Sequence, residues 1–333
     1  MMTTNSPKLY ILDVGHGNSA ILTDTHGNVV IDCAPGGTLL ANLQKLGISE
    51  ITAVMISHAD TDHLAGIMGL LCNEKIKIGT IYINPDSTKK TKIWRDFRAS
   101  LLVARQKGNI RVETSLNTNH SGQVSAGEVY IEVLSPNPEM SLSGAGGIDV
   151  NNRVLTSNSM SVVIGLIHKG HRVAILAGDL DDIGLDNLLL ESSSLEADIL
   201  VFPHHGGAPG NYSATRFANL LCSHIKPKLI IFSIDSNRFD NPKDEIIMEV
   251  KESLPNTHIM CTQLANKCLS WHQTYNASHL TNFSAQGFSR KRCCGGTIEI
   301  SLDGQNSSYL PKDLHQLFVK MLLKIGGNPR CLY

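Results

Sequence analysis

The alternation of apolar and polar positions divides the chain into short strands and helices in close succession. Residues 8–14 alternate and then run apolar, 20–22 resume a strand, and 29–32 form a third; Thr25-His26-Gly27-Asn28 turns the hairpin between the last two. Residues 38–46 have helical spacing and stop at Gly47, and 51–56 read as a buried strand. Further strands are expected at 79–83, 128–134, 159–166, 172–176, 197–202, 229–234 and 297–302. A helix is expected over 93–107, with Trp94, Phe97 and Leu101 on or near one face. Residues 135–152, rich in Ser, Gly, Asn and Pro and without periodicity, read as a loop. Near the end, Leu314, Leu317, Phe318, Met321, Leu322 and Ile325 predict a helix apolar on one face, with Pro311 near its start and Gly326 closing it.

At the end of the 51–56 strand this pattern breaks into Ser57-His58-Ala59-Asp60-Thr61-Asp62-His63. Two imidazoles and two carboxylates sit at a strand-to-helix turn, where ligands collect in α/β folds. Buried unpaired, such groups would cost several kcal/mol each. Mixed nitrogen and oxygen donors suit zinc, manganese or iron rather than calcium. Two later strand ends carry the same kind of chemistry: Gly178-Asp179, and Pro203-His204-His205-Gly206.

Composition adds limits rather than direction. The 333 residues are 42% hydrophobic and 18% charged, enough for one large domain or two small ones. A net charge of −1 predicts no general nucleic-acid binder, so electrostatic steering falls to local patches such as Lys89, Lys90, Lys92, Arg95 and Arg98. That run reads either as the solvated face of a helix or as a phosphate-attracting rim. The eight cysteines form no Cys-x-x-Cys pair and are expected as reduced, mostly buried thiols. No apolar run approaches the length of a membrane span, and a soluble cytoplasmic protein is the expectation.

On these residues the chain resembles the metallo-β-lactamase fold superfamily, whose usual signature is His-x-His-x-Asp-His. With Asp60 in place of the second histidine, it is most similar to the hydrolase domain of the competence protein ComEC and its soluble relatives. Leu12 to Ser19 resembles that family's Asp-Val-Gly-Gln-Gly-Asp stretch, with His16 and Asn18 as departures. Asn158-Ser159-Met160-Ser161 resembles its Asn-x-Ser stretch, and His204-His205-Gly206 its His-His-Gly. Where such chains read Asn-x-Tyr-Gly-His-Pro, this one has Asn237 and Pro242, but Phe239 replaces Tyr and Asn241 replaces His.

The resemblance implies an α/β fold, a four-layer αββα sandwich over residues 7–303, with 304–333 a tail carrying the amphipathic helix. It implies two divalent metal ions, zinc or manganese. His58, Asp60 and Asp179, with Asn158, would hold one; Asp62, His63, Asp179 and His204 the other, Asp179 bridging. His204 is the favoured ligand and His205 the neighbour that touches substrate or supports the shell, although the sequence does not separate them. Asp62, His205 and Asn241 are the expected catalytic residues, and His16, Asn158, Asn237 and Arg238 the expected substrate contacts. The implied activity is hydrolysis by a metal-activated hydroxide, first of phosphodiesters, with nucleic acid as a substrate. Hydrolysis of a small lactone, β-lactam or ester is the alternative, and a non-catalytic nucleic-acid-binding or scaffold protein the third reading. The C-terminal helix most simply packs on the domain, with contact between copies the minor reading.

Overall fold

The computed structural model describes residues 6–107, 110–192, 194–236, 238–270, 275, 277–303 and 308–332. Its strands are β1 (Lys8–Ile11), β2 (Ser19–Asp24), β3 (Gly27–Cys33), β4 (Glu50–Ile56), β5 (Lys77–Ile83), β6 (Arg111–Glu113) and β7 (Tyr130–Ser135). There follow β8 (Val163–His168), β9 (His171–Leu176), β10 (Ile199–Val201), β11 (Leu229–Phe232), β12 (His258–Cys261), β13 (Ile298–Ser301) and β14 (Ser308–Leu310). The helices are α1 (Thr38–Lys45), α2 (Thr61–Leu64), α3 (Ile67–Leu71), α4 (Lys92–Gln106) and α5 (Pro138–Ser143). Later in the chain come α6 (Asp182–Glu191), α7 (Ala214–Ile225), α8 (Asp244–Ser253), α9 (Gln286–Ser289) and α10 (Lys312–Lys324).

The strands form two sheets, one in the order β14-β13-β1-β2-β3-β4-β5-β6 and the other β12-β11-β10-β9-β8-β7. Strands β3 to β6 in the first sheet and β9 to β12 in the second pair parallel through helical connections, and the remaining neighbours pair antiparallel. A strand covered on both sides shows its two faces in two cores. Leu229 and Ile231 of β11 join Leu9, Leu22, Ile31 and Met55 of the opposite sheet in the central core. Ile230 and Phe232, between them, pack instead against Phe217 and Leu221 of α7 and Val250 of α8. On the far side, Leu43 of α1 and Trp94 and Phe97 of α4 cover the first sheet. Helix, sheet, sheet, helix is the expected αββα sandwich.

Three local readings change. Residues 135–152 include α5, started by Pro138 in its first turn and capped by the Asn137 side chain on Met140 N at 2.8 Å. Residues 159–162, expected as strand, precede β8; there Ser159 and Ser161 spend their hydroxyls on Asp181 and Asp179 N rather than on a ladder. Helix α10 packs Phe318, Val319 and Leu322 on Leu264, Leu269 and Cys294, and leaves Leu314 and Leu317 exposed. All eight cysteines are free. Among the described residues no helix is long and apolar enough to cross a membrane.

Candidate metal centre

Every strand that feeds the site does so from its C-terminal end or from the loop just past it. The last residues of β4 are apolar and buried, so the polar run from Ser57 emerges at the sheet edge, and Asp60 stands at the N-cap of α2 with extended backbone. Past β9 the chain turns at Gly178 (φ +53), where a Cβ would lie 2.3 Å from Ser161 Oγ. That turn aims Asp179 into the same space, and Ser161 Oγ accepts from its backbone N–H at 3.0 Å. Past β10, His204 and His205 both take left-handed backbone (φ +52 and +55), a strained arrangement that splays their rings apart. The β1–β2 loop closes from above. At Gly17 (φ +120) a Cβ would fall 2.2 Å from Asp62 O, so only glycine lets the loop approach this closely.

Asp62, His63, Asp179 and His205 form one compact group, each offering a donor atom within 4.8 Å of the others. His63 Nε2 lies 3.1 Å and His205 Nε2 3.6 Å from Asp179 Oδ1, and His205 Nε2 lies 3.4 Å from Asp62 Oδ2. The outward nitrogens of both rings are already committed. His63 Nδ1 is 2.7 Å from Asp32 Oδ2, and His205 Nδ1 is 2.8 Å from the Ser233 carbonyl. Asp32 is itself fixed by the backbone N–H and hydroxyl of Ser57, at 2.7 and 2.9 Å. Carboxylates and carbonyls behind histidine ligands set tautomer and orientation in metal sites.

On the other side of Asp179 lies a looser set. Oδ2 of Asp179 is 3.9 Å from His58 Nε2 and 3.9 Å from His204 Nδ1, and His58 Nε2 is 3.6 Å from Asp60 Oδ2. Asn158 Nδ2 is 3.1 Å from His204 Nδ1. The geometry therefore reverses the expected placement of the histidine pair. His205 joins Asp62, His63 and Asp179, whereas His204 faces the His58 side beside Asn158. The sequence lacked a signal for this, because the choice rests on two consecutive left-handed residues.

The electrostatics follow the same division. Burial alone would raise the Asp62 carboxyl, but the close approach of His16 and His205 and the charge of His63 hold it far below the carboxylate range. Asp179 is likewise pulled down against burial by His63, His205 and His58. Burial opposes protonation of His63 and His205, yet Asp179 and the neighbouring carboxylates raise both. His204, by contrast, is lowered, chiefly by burial. Asp60 is brought down to about 2 despite burial, by His58 and by the ammonium of Lys89, which sits directly on it.

The donor set fits a metal on one structural ground. His58 Nε2, His63 Nε2, His205 Nε2 and Asp179 Oδ1 are buried polar atoms without a hydrogen-bond partner, the three imidazole nitrogens gathered around Asp179. Such atoms are costly unless something else satisfies them.

The remaining expected residues distribute as follows. His16 Nε2 is 3.1 Å from Asp62 Oδ2, and its ring packs on His205 and Phe239 at 4.6 and 4.7 Å. Its loop hangs on buried Asp13, which accepts from Gly15 N at 3.2 Å and Gln263 Nε2 at 2.8 Å. Asn158 and Asn241 line the open cavity of about 360 Å³ over the site, together with Phe239 and Lys243. Arg238 is exposed and does not line it, so the cation at this wall is Lys243. Asn237 lies outside the described residues. Of the basic run, Lys89 reaches the site, held by the Asp86 carboxylate through its backbone N–H at 3.2 Å. Lys92 pairs with Asp96, and Arg98 lies over the Trp94 ring. Asp32 and Asp13 were absent from the expected set; their signal was a carboxylate set in or just after an apolar, buried strand.

Sequence comparison matches residues 12–211 to the metallo-beta-lactamase superfamily. The ComE operon protein 3 of Bacillus subtilis (strain 168) is 24% identical over 266 residues, covering 71% of this chain and 30% of that protein. The chain thus corresponds to less than a third of that relative's length. Similar solved structures include the metallo-beta-lactamase fold protein YhfI of Bacillus subtilis, at 12% identity and TM-score 0.44, covering 74% of this chain and 94% of the other. Another is Tm1679, a metal-dependent hydrolase of the beta-lactamase superfamily, at 13% identity and TM-score 0.46, covering 77% of this chain and 95% of the other.

Proposed function

The chain belongs to the metallo-beta-lactamase superfamily, a fold of metal-dependent hydrolases, and from that premise we propose that it cleaves phosphodiester bonds, as a nuclease or phosphodiesterase. The observation that carries the hydrolytic reading is the ring of buried, unpaired donor atoms around Asp179. Asp62, His63, Asp179 and His205 would hold one divalent ion, zinc or manganese, and His58, Asp60 and His204, with Asp179 Oδ2, a second. A bound cation supplies Lewis acidity toward water and toward the attacked group.

The side chains then divide the remaining work. Asp62 orients the attacking water, held in place by His16 and His205. Lys243 in the cavity wall and Lys89 beside Asp60 supply positive charge where a phosphate would lie, which favours a phosphodiester over a neutral lactone or lactam. Asn241 can donate a hydrogen bond to a leaving oxygen but cannot deliver a proton near neutral pH. The test compares metal-loaded protein with Asp179→Ala on DNA, RNA, bis-p-nitrophenyl phosphate, a lactone and a β-lactam. Turnover of the phosphodiesters alone, lost in the variant, is expected. Turnover confined to the lactone or lactam would transfer the reading to small-ester hydrolysis.

A further inference from the structure

Phe239 is 63% exposed, yet it is not one of the scattered apolar side chains of an ordinary surface. It lines the cavity over Asp62 and Asp179. Its backbone is left-handed (φ +58), as is that of Asp240 (φ +50), a conformation rarely imposed on a bulky side chain. Two contacts maintain it: Lys243 Nζ donates to the Phe239 carbonyl at 3.2 Å, and Lys267 pairs with Asp240 at 2.9 Å. One part of the ring rests on His16, with centroids 4.7 Å apart. His16 in turn reaches Asp62 Oδ2 at 3.1 Å. A single imidazole therefore separates an exposed aromatic ring from the carboxylate cluster. Backbone strain of this kind persists where surrounding structure enforces it, and it concentrates at ligand sites. Apart from this ring the cavity wall is mostly carboxylate, imidazole, amide and ammonium, with Gly207 and Ala208 as its small residues.

We infer that the exposed part of the Phe239 ring is a stacking platform for the base of a nucleotide whose phosphoester lies between Lys243 and the Asp62–Asp179 cluster. This rests on the phosphodiesterase reading and narrows it to nucleobase-bearing substrates. Stacking on an aromatic side chain tolerates any base, since each presents a π-face, so the platform selects for a base without selecting its identity.

The measurement is binding, by calorimetry, of thymidine monophosphate and of deoxyribose phosphate to full-length, zinc-loaded protein. The parent should bind the nucleotide more tightly than the sugar phosphate. Phe239→Ala should weaken the nucleotide by at least about fivefold and leave the sugar phosphate unchanged, as expected for loss of one base stack. Phe239→Trp should restore nucleotide affinity, and its indole emission should be quenched on binding. The two ligands binding alike to the parent, or a loss in Phe239→Ala shared equally by both, overturns the platform while leaving phosphoester recognition standing. Binding of neither ligand overturns the platform and the phosphodiesterase reading together.

Discussion

The two oxygens of Asp179 face unlike neighbourhoods. On the Oδ1 side, His63 and His205 are buried with their rear nitrogens held by Asp32 and the Ser233 carbonyl, and Asp62 completes a tight group. On the Oδ2 side, His204 is 34% exposed against 2% for His205, and its Nδ1 lies closer to the neutral Asn158 amide than to the Asp179 carboxylate. Asp60 there is already neutralised by Lys89. One half is organised before any ion arrives; the other must exchange a lysine contact and gather its donors. This teaches that sharing a carboxylate does not make two sets of donors equal. An ion held between Asp62, His63, Asp179 and His205 should be the tighter one.

Asp179→Ala breaks the comparison outright, because it removes the carboxylate common to both sides. Elemental analysis should find little metal retained, with activity falling beyond the ~10²–10⁴-fold that loss of a single proton-transfer group costs. Asp62→Asn tests the compact side by itself. It preserves shape and removes charge, so activity should fall at least ~100-fold while thermal unfolding shows a folded protein. Activity within threefold of the parent at matched metal content would place the chemistry elsewhere.

The histidine pair sharpens the contrast at smaller effect. His205→Ala should lower affinity for the first metal equivalent by at least ~10–100-fold, and His204→Ala should spare that equivalent and weaken the second. A competition titration with a chromophoric chelator separates the two. Equal losses would mean the two sides are not independent. Asp32→Asn, which touches no substrate, should weaken the first equivalent by ~10–100-fold through His63, since the ring would lose the carboxylate that fixes its tautomer.

Much of this was legible because strand-end chemistry interrupts apolar runs. Ser57 to His63, Gly178-Asp179 and His204-His205 each follow a buried strand, and a run of charges there has no use in a core. Strands such as β4 and β11 were legible from their apolar runs, and the layer order followed from the family resemblance. What was hidden depends on contacts across long separations. Asp32 looks like the polar end of a hairpin strand; only the pairing of β3 with β4 brings it to Ser57 and His63, thirty-one residues away. The two histidines differ in role through backbone angles that their side chains do not encode. Nor could composition distinguish Lys89 from Lys90 or Arg95, because the distinction is made by Asp86, which holds one turn of the loop against the site.

The smallest expected effect concerns the wall above both sides. Asn241 is 8% exposed, lines the cavity with Lys243 and packs close to Gly207, where an added Cβ would lie 3.3 Å from its Nδ2. A histidine here could hand a proton to a leaving oxygen; the amide can only donate a hydrogen bond. Asn241→His supplies that capacity without altering either group of donors. The imidazole must enter a wall shaped for an amide. The gain should therefore be modest, roughly 3–10-fold in phosphodiester turnover, well short of the ~10²–10⁴-fold of a proton donor in a matched setting. That gain should appear with an alkoxide leaving group and vanish with p-nitrophenolate, which departs without protonation. An equal gain on both would assign the effect to charge near the phosphate, and no gain on either would mark position 241 as adapted to a substrate whose leaving group needs no proton.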